Sequence, residues 1–379
     1  MHVVIVGGGL VGAAAAVTAQ QAGYRVTLLE RGASPLSTPE QAPWDLRISS
    51  VHEKNRHWLQ RLGVWSRVES SKHLAYDALS VTTRDGLSVT FTAAEVDQPQ
   101  LGVMVENNAL IRAMWHYVAE HSQVELRSDT AVQSYDLSGQ QLHFATGEAL
   151  SYDLLIGADG ANSAVARAAG IGMRGWDYDM RCLLAIVETE KPVAPATWEI
   201  FREQGPYALL PLDQHRACLI DYRSEQEWRS ADEAAIAEGL EQTFAPHIGS
   251  FELQRHGSFP LRRQRALRYI DTRGVVLIGD AAHSIHPLAG QGVNLGFADV
   301  QELFEQLAQK PLDQALRGYE RKQMAVNQQM MRVMDAIHVG FRSEHLAARA
   351  AVALGLTAVS KLAPLRKQII RAAMGDSQI

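Results

Sequence analysis

An α/β chain carrying an inserted antiparallel sheet is the fold class this sequence predicts, and three observations predict it. Residues 3–6 are a β-branched run that stops at Gly7, as expected of a buried parallel strand. Apolar runs meet glycines again at "YDLLIGADG" (152–160) and at 274–278, just before "GDAAH". Between these two, from Tyr178 to Tyr222, apolar and polar residues alternate as they do in antiparallel strands. Parallel-type strands therefore flank β-rich segments, which implies one domain assembled from separated pieces and interrupted by another. A length of 379 residues leaves room for two or three domains.

The elements follow in order. Residues 10–22 are Ala-rich and close with Gly23, the pattern of a helix and its stop. Residues 26–29 form a second strand ending in Glu30, so residues 1–30 read as a β-α-β unit. A Pro- and Ser-rich loop (34–43) precedes a helix at 52–62 that Gly63 ends. Strands at 78–83 and 87–92 flank "RDG", a hairpin signal. A helix at 108–121, three short strands near 124–127, 130–137 and 141–145, and the buried strand of "YDLLIGADG" come next. Residues 232–244 read as a helix, and after Gly292 the pattern is helical almost to the end.

Composition narrows the function. The chain is 46% hydrophobic and 21% charged, with a net charge of −6, which excludes a disordered chain and disfavours nucleic acid as a partner. Two cysteines, Cys182 and Cys218, are too few for a disulfide framework or a cysteine zinc site and read as core residues. His283 and His286, at i and i+3, have no evident third ligand, so no metal is expected. The opening "MHVVIVGGG" lacks the basic and longer apolar regions of a signal peptide. No apolar run approaches a membrane span, and the expectation is a cytoplasmic protein. The charge is uneven: residues 340–379 carry +4 and the rest −10. Leucines and isoleucines interleave with the basic residues there. This fits either peripheral contact with the inner membrane surface or a helix docking its apolar face on the protein.

The glycines of the first unit carry the chemistry. Gly7, Gly9 and Gly12 form G-x-G-x-x-G after a strand and at the start of a helix. The first permits the tight turn, the second lets backbone approach a pyrophosphate, and the third lets helix and strand pack closely. Glu30 stands at the end of the second strand, placed to accept both hydroxyls of a ribose. An acid there repels a 2′-phosphate, and NAD and FAD both stay open on this unit alone.

Two further runs, "GADGANS" (157–163) and "GDAAHSIHPLAGQGVNLG" (279–296), each end a strand. With the glycine turn they match, in order and at similar spacing, the three fingerprints of the class A flavin monooxygenases of the para-hydroxybenzoate hydroxylase type. The sequence resembles that family over about 330 residues. Through "DLRISSV" (45–51) and "MVENNAL" (104–110) it is most similar to the ubiquinone-biosynthesis hydroxylases. The expected division is a discontinuous Rossmann-like FAD-binding domain (1–72, 103–172 and 265–330), a substrate domain (73–102 and 173–264) and a C-terminal helical region (331–379).

The resemblance implies roles residue by residue. Glu30 binds the adenosine ribose, Arg47 and Asn107 lie near the pyrophosphate and ribityl chain, and Asp280 holds a ribityl hydroxyl. Asp159, Gly160 and Gly279 belong to the cofactor fingerprints. Pro287 borders the reactive flavin face, and Gly290, Gly292 and Asn294 bring backbone N–H groups to its pyrimidine edge. Hydroxylation then runs through a flavin C4a-hydroperoxide on a polyprenylated quinol or phenol with O2. The protein supplies geometry and a dry pocket rather than an acid–base pair. A sister hydroxylase acting at another ring position and a soluble NAD(P)H-dependent phenol hydroxylase are the alternatives. The sequence departs from the family at one slot, where Ala166 stands in place of an arginine. Arg167 beside it points about 100° away on a helix. The electron donor therefore stays open between NAD(P)H and a separate reductase, and a biosynthetic complex is a further possible partner. Tyr207 and Tyr222 fall in the substrate sheet without an assigned role.

Overall fold

The computed structural model describes residues 1–39, 42–284, 292–342 and 345–375. Its centre is a six-stranded sheet in which His2–Val6 lies between Leu154–Gly157 and Arg25–Leu29. Both pairs run parallel, and Val3, Val4 and Ile5 are fully buried. Val275–Leu277 and Val124–Arg127 extend the sheet on either side, and the two-residue Ile270–Asp271 adds an antiparallel edge. The helix Leu10–Gln21 packs on both Asn107–Ala119 and Gly292–Gln309. A three-stranded meander (Val132–Asp136, Gln141–Phe144, Ala149–Ser151) contributes Leu142, Phe144 and Leu150 to the same core.

The segments between these strands build an eight-stranded sheet. Its order is His283–Ser284, Phe251–Ala266, Met173–Thr189, Arg216–Ser224, Tyr207–Pro211, Ala196–Ile200, Ala78–Thr82 and Ser88–Thr92. One face is covered by the helix Glu233–Ile248, whose Ile236, Leu240 and Phe244 meet Leu183, Ala185, Leu209 and Leu219. The opposite face looks toward a small sheet of Ile48–His52, Gly102–Glu106 and His73–Tyr76. Tyr76 ends a strand of the small sheet and Ala78 begins one of the large sheet, so a single connection joins the two.

The chain ends in helices. Leu312–Arg342 lies along Gly292–Gln309, Leu346–Lys361 returns, and Ala363–Ala373 closes the chain. The last helix docks on the protein: Ile370 and Met374 are buried among Tyr76, Phe91 and Met104. The Arg366 guanidinium donates to both Glu95 carboxylate oxygens, at 2.7 and 2.6 Å, and to the Thr90 carbonyl. Of the two readings of the basic C-terminal segment, this helix follows the docking one. Among the described residues, no helix is long and apolar enough to cross a membrane.

Most predicted elements stand within a residue or two of their expected places. The strand Ile48–His52 and the sixteen-residue strand Phe251–Ala266 are additions to the sequence reading.

Candidate functional site

The turn after the first strand shapes a large cleft. Gly7 has a φ of 106°, and a Cβ on it would lie 2.4 Å from the Ala158 carbonyl oxygen. A Cβ on Gly12 would lie 1.9 Å from the Gly7 carbonyl oxygen. These two glycines let strand, helix and the 157–160 loop close on one another. Gly9 differs: a Cβ there would meet nothing within 4 Å, because Gly9 faces the open cleft. No side chain caps the helix Leu10–Gln21, and its first residues line the same space. The unpaired N–H groups of its first turn and its positive dipole end are thus available to an anion.

The cleft measures about 810 Å³ and gathers Gly9, Glu30, Arg47, Asn107, Gly160, Asp280 and Gly292. The Glu30 carboxylate is fixed at its wall by backbone N–H groups of Gly8 (2.8 Å) and Gly32 (2.7 Å). Asn107 begins a helix, its backbone N–H bonds the Arg47 carbonyl at 3.0 Å, and its side-chain oxygen accepts from Ser49 at 2.6 Å. The Arg47 side chain is 70% exposed and 3.8 Å from the Asp45 carboxylate. Asp280 is exposed to the cleft, and desolvation by the protein packed around it raises its pKa.

Other expected site residues support the cleft rather than line it. The Asp159 carboxylate accepts from the Ser163 hydroxyl (2.5 Å) and the Ala164 N–H (2.7 Å), which pins the "GADGANS" loop. Gly279, at a φ of 58°, packs against Val11, and its N–H bonds Asp299 at 2.9 Å. His283 bonds the same Asp299 carboxylate at 2.6 Å. Burial alone would lower the His283 pKa, and the Asp299 charge reverses this and raises it. The Asn294 side chain donates to the Ser50 carbonyl (2.8 Å) and accepts from the His52 N–H and from Asn55, tying its helix to the small sheet. Pro287, Gly290 and His286 lie outside the described residues. Ala166 is buried, and the exposed Arg167 donates back to the Asn162 carbonyl at 2.8 Å.

A second cavity, of about 220 Å³, lies between the two sheets. Ile48, Ser50, Tyr76 and Met104 come from the small sheet, Cys182, Leu184, Glu199, Leu210, Ile220 and Tyr222 from the large one, and Ala373 from the last helix. Arg47 and Asn107 line both spaces, so the cavity abuts the cleft at those two residues. Tyr222 is thereby part of the cavity wall, whereas Tyr207 meets Trp198 and Phe244 edge-on on the far face of the sheet. Glu199 escaped the sequence reading.

The residues present fit FAD. A glycine-floored cleft meets an uncapped helix end, as a pyrophosphate requires. A carboxylate stands at the end of the second strand for the ribose, and a second one, Asp280, lines the same cleft.

Comparison with known proteins agrees. Residues 1–334 match the FAD binding domain family. The chain is 37% identical over 391 residues to 3-demethoxyubiquinol 3-hydroxylase of Escherichia coli (strain K12), covering 99% of this chain and 98% of that relative. The chain belongs to this family of FAD-binding hydroxylases. It is an FAD-dependent monooxygenase. It is also 32% identical to the ubiquinone hydroxylase UbiL of Rhodospirillum rubrum, over 100% of this chain and 90% of that one. The mitochondrial ubiquinone biosynthesis monooxygenase COQ6 of Homo sapiens is 28% identical, over 97% of this flavoprotein and 91% of the human chain. Among solved structures, p-nitrophenol 4-monooxygenase PnpA from Pseudomonas putida DLL-E4 superposes with a TM-score of 0.83 at 18% identity. It covers 100% of this chain and 98% of its own, a likeness of fold.

Proposed function

We propose that this flavoprotein hydroxylates the ring of a polyprenylated benzoquinol in ubiquinone biosynthesis, acting as a 3-demethoxyubiquinol 3-hydroxylase. The observation that carries this reading is the junction of the two spaces at Arg47 and Asn107. An apolar cavity sized for a substituted ring abuts a cofactor cleft, inside a chain 37% identical to a relative of that activity over its whole length.

FAD supplies the oxygen activation and electron transfer when bound. Glu30 takes the ribose hydroxyls, and Gly9 with the first turn of Leu10–Gln21 takes the pyrophosphate. Arg47, Asn107 and Asp280 border the ribityl chain, while Gly292 and Asn294, with Pro287 and Gly290, belong to the flavin end. Leu184, Leu210, Ile220 and Met104 keep water from the ring, which protects reactive oxygen from futile loss. The separated FAD-binding segments and the intervening sheet act as cofactor and substrate domains. Neither Ala166 nor Arg167 offers the cation of the family's arginine slot, which favours an electron route that does not depend on it.

The direct test is turnover of the FAD-loaded protein with a short-chain 3-demethoxyubiquinol under 18O-labelled oxygen. One labelled hydroxyl per ring is the expected product. Oxygen consumption that yields only hydrogen peroxide, with this quinol and with its sister-pathway phenols, would sink the reading.

A further inference from the structure

We propose that Glu199 receives a ring hydroxyl of the substrate in the apolar cavity, accepting its hydrogen bond and taking its proton during hydroxylation. The proposal rests on reading that cavity as the ring site.

Glu199 sits on the strand Ala196–Ile200, where alternation sends Thr197 and Glu199 toward the cavity and Trp198 toward the covering helix. It is 9% exposed, and no described residue donates a hydrogen bond to its carboxyl or pairs with it. The neighbouring polar groups are already engaged. The Thr197 hydroxyl donates to the Leu209 carbonyl at 2.7 Å, Ser50 and Tyr76 bond each other at 2.8 Å, and Asn107 accepts from Ser49. An unpaired buried carboxyl is costly to a fold, and its retention in a cavity is what a ligand partner would offset.

The charge state suits the role. Burial pushes the Glu199 pKa up to about 7. The titratable groups facing it are Tyr222 and Cys182 on its own sheet, Tyr76 on the small sheet, and Arg47 at the junction with the cleft. Burial raises the pKa of all three protonated groups, so they stay neutral near pH 7. Asp221 lies on the far face, paired with Arg202 and Arg223. Glu199 is therefore the carboxylate that a ring hydroxyl meets, and its affinity for a proton is matched to neutral pH.

The proton balance closes. As the ring carbon bonds the incoming oxygen, the O–H bond of the hydroxyl on the adjacent carbon breaks, its electron pair enters the ring, and its proton moves to Glu199. The hydroxylated carbon then loses its own hydrogen as a proton, which ends in the water formed from the second oxygen atom, and Glu199 returns the held proton to the ring oxygen. The incoming oxygen atom comes from O2, the electron donor of the monooxygenase reaction supplies the two electrons that reduce the other atom to water, and Glu199 ends as it began.

The test separates this from the function proposed above. A short-chain demethoxyubiquinol and its two monomethyl ethers are titrated anaerobically into FAD-loaded wild type and Glu199→Gln, from pH 5.5 to 8.5, with flavin fluorescence as the readout. Wild type should favour the free hydroxyl over one ether by about tenfold above pH 7 and less below it, as the carboxyl protonates. Glu199→Gln should lose that dependence with FAD content and melting temperature kept. In turnover, wild-type kcat/KM should rise through pH 7, and the variant should be flat and lower by about 10²-fold. Equal preference in both proteins at every pH, or no binding of the quinol to wild type, overturns the proposal. If neither protein hydroxylates the quinol, the function reading falls, and the binding series still decides Glu199.

Discussion

The glycines of the first turn show how one residue type carries two duties. Gly12 has no room for a side chain inside the protein, whereas Gly9 has room that only a ligand would fill. Gly12→Ala should therefore cost the apoprotein more than about 3 kcal/mol and show as a lower melting temperature. Gly9→Ala should melt like wild type without FAD, yet bind FAD at least about tenfold more weakly in a fluorescence titration. Equal melting and equal FAD affinity in the two variants would refute the distinction. Both duties were legible in sequence because strand, turn and helix are local. Glu199 was not legible, for a physical reason. In "ATWEI" the polar Thr197 and Glu199 alternate with Trp198, which reads as a solvated face under a buried aromatic. Only the approach of the small sheet, built by residues more than ninety positions away, turns that face into a cavity wall.

At the scale of elements, the parts that pair across long stretches are the ones the sequence concealed. The strand Ile48–His52 lies inside a family signature and finds its partner, Gly102–Glu106, fifty residues on. The strand Phe251–Ala266 carries four arginines and a histidine and only a weak alternation, so nothing local announces it. Fourteen register pairs with Met173–Thr189 define it instead. The last helix follows the same logic: its apolar residues choose Tyr76, Phe91 and Met104, three residues far away in sequence. Tyr76, Met104 and Ala373 also line the ring cavity, so this helix is a wall of the site as well as a closing element. Ile370→Ala should cost about 2–4 kcal/mol in urea unfolding. At permissive temperature it should raise the KM for the quinol several-fold while FAD affinity holds. An unchanged KM beside the stability loss would show that the helix closes the fold without shaping the cavity.

For the whole molecule, the split of charge between a −10 body and a +4 C-terminal stretch now has a structural partition. Arg366 is spent on Glu95 and Arg349 pairs with Asp85, so those two cations serve the fold. Lys361, Lys367 and Arg371 are exposed and make no ion pair among the described residues. Beside Lys361, Leu362 is 53% exposed and Leu354 72% exposed. Each basic residue near an anionic surface adds roughly 1 kcal/mol of attraction, and exposed leucines add apolar burial at the headgroup boundary. A quinol with a polyprenyl tail resides in a bilayer, so a protein that works on it gains from touching one. Removing residues 340–379 would be a poor probe of this contact, because it would strip Ala373 from the cavity wall and Ile370 and Met374 from the core beside it. The double variant Leu354→Asp, Leu362→Asp changes only exposed positions and should melt like wild type. Full-length wild type should float with vesicles rich in phosphatidylglycerol and stay unbound with phosphatidylcholine alone. The double variant should remain at the bottom of both gradients. Flotation of the variant equal to wild type would move the contact elsewhere, and failure of both proteins to float would leave delivery of the quinol to a partner protein.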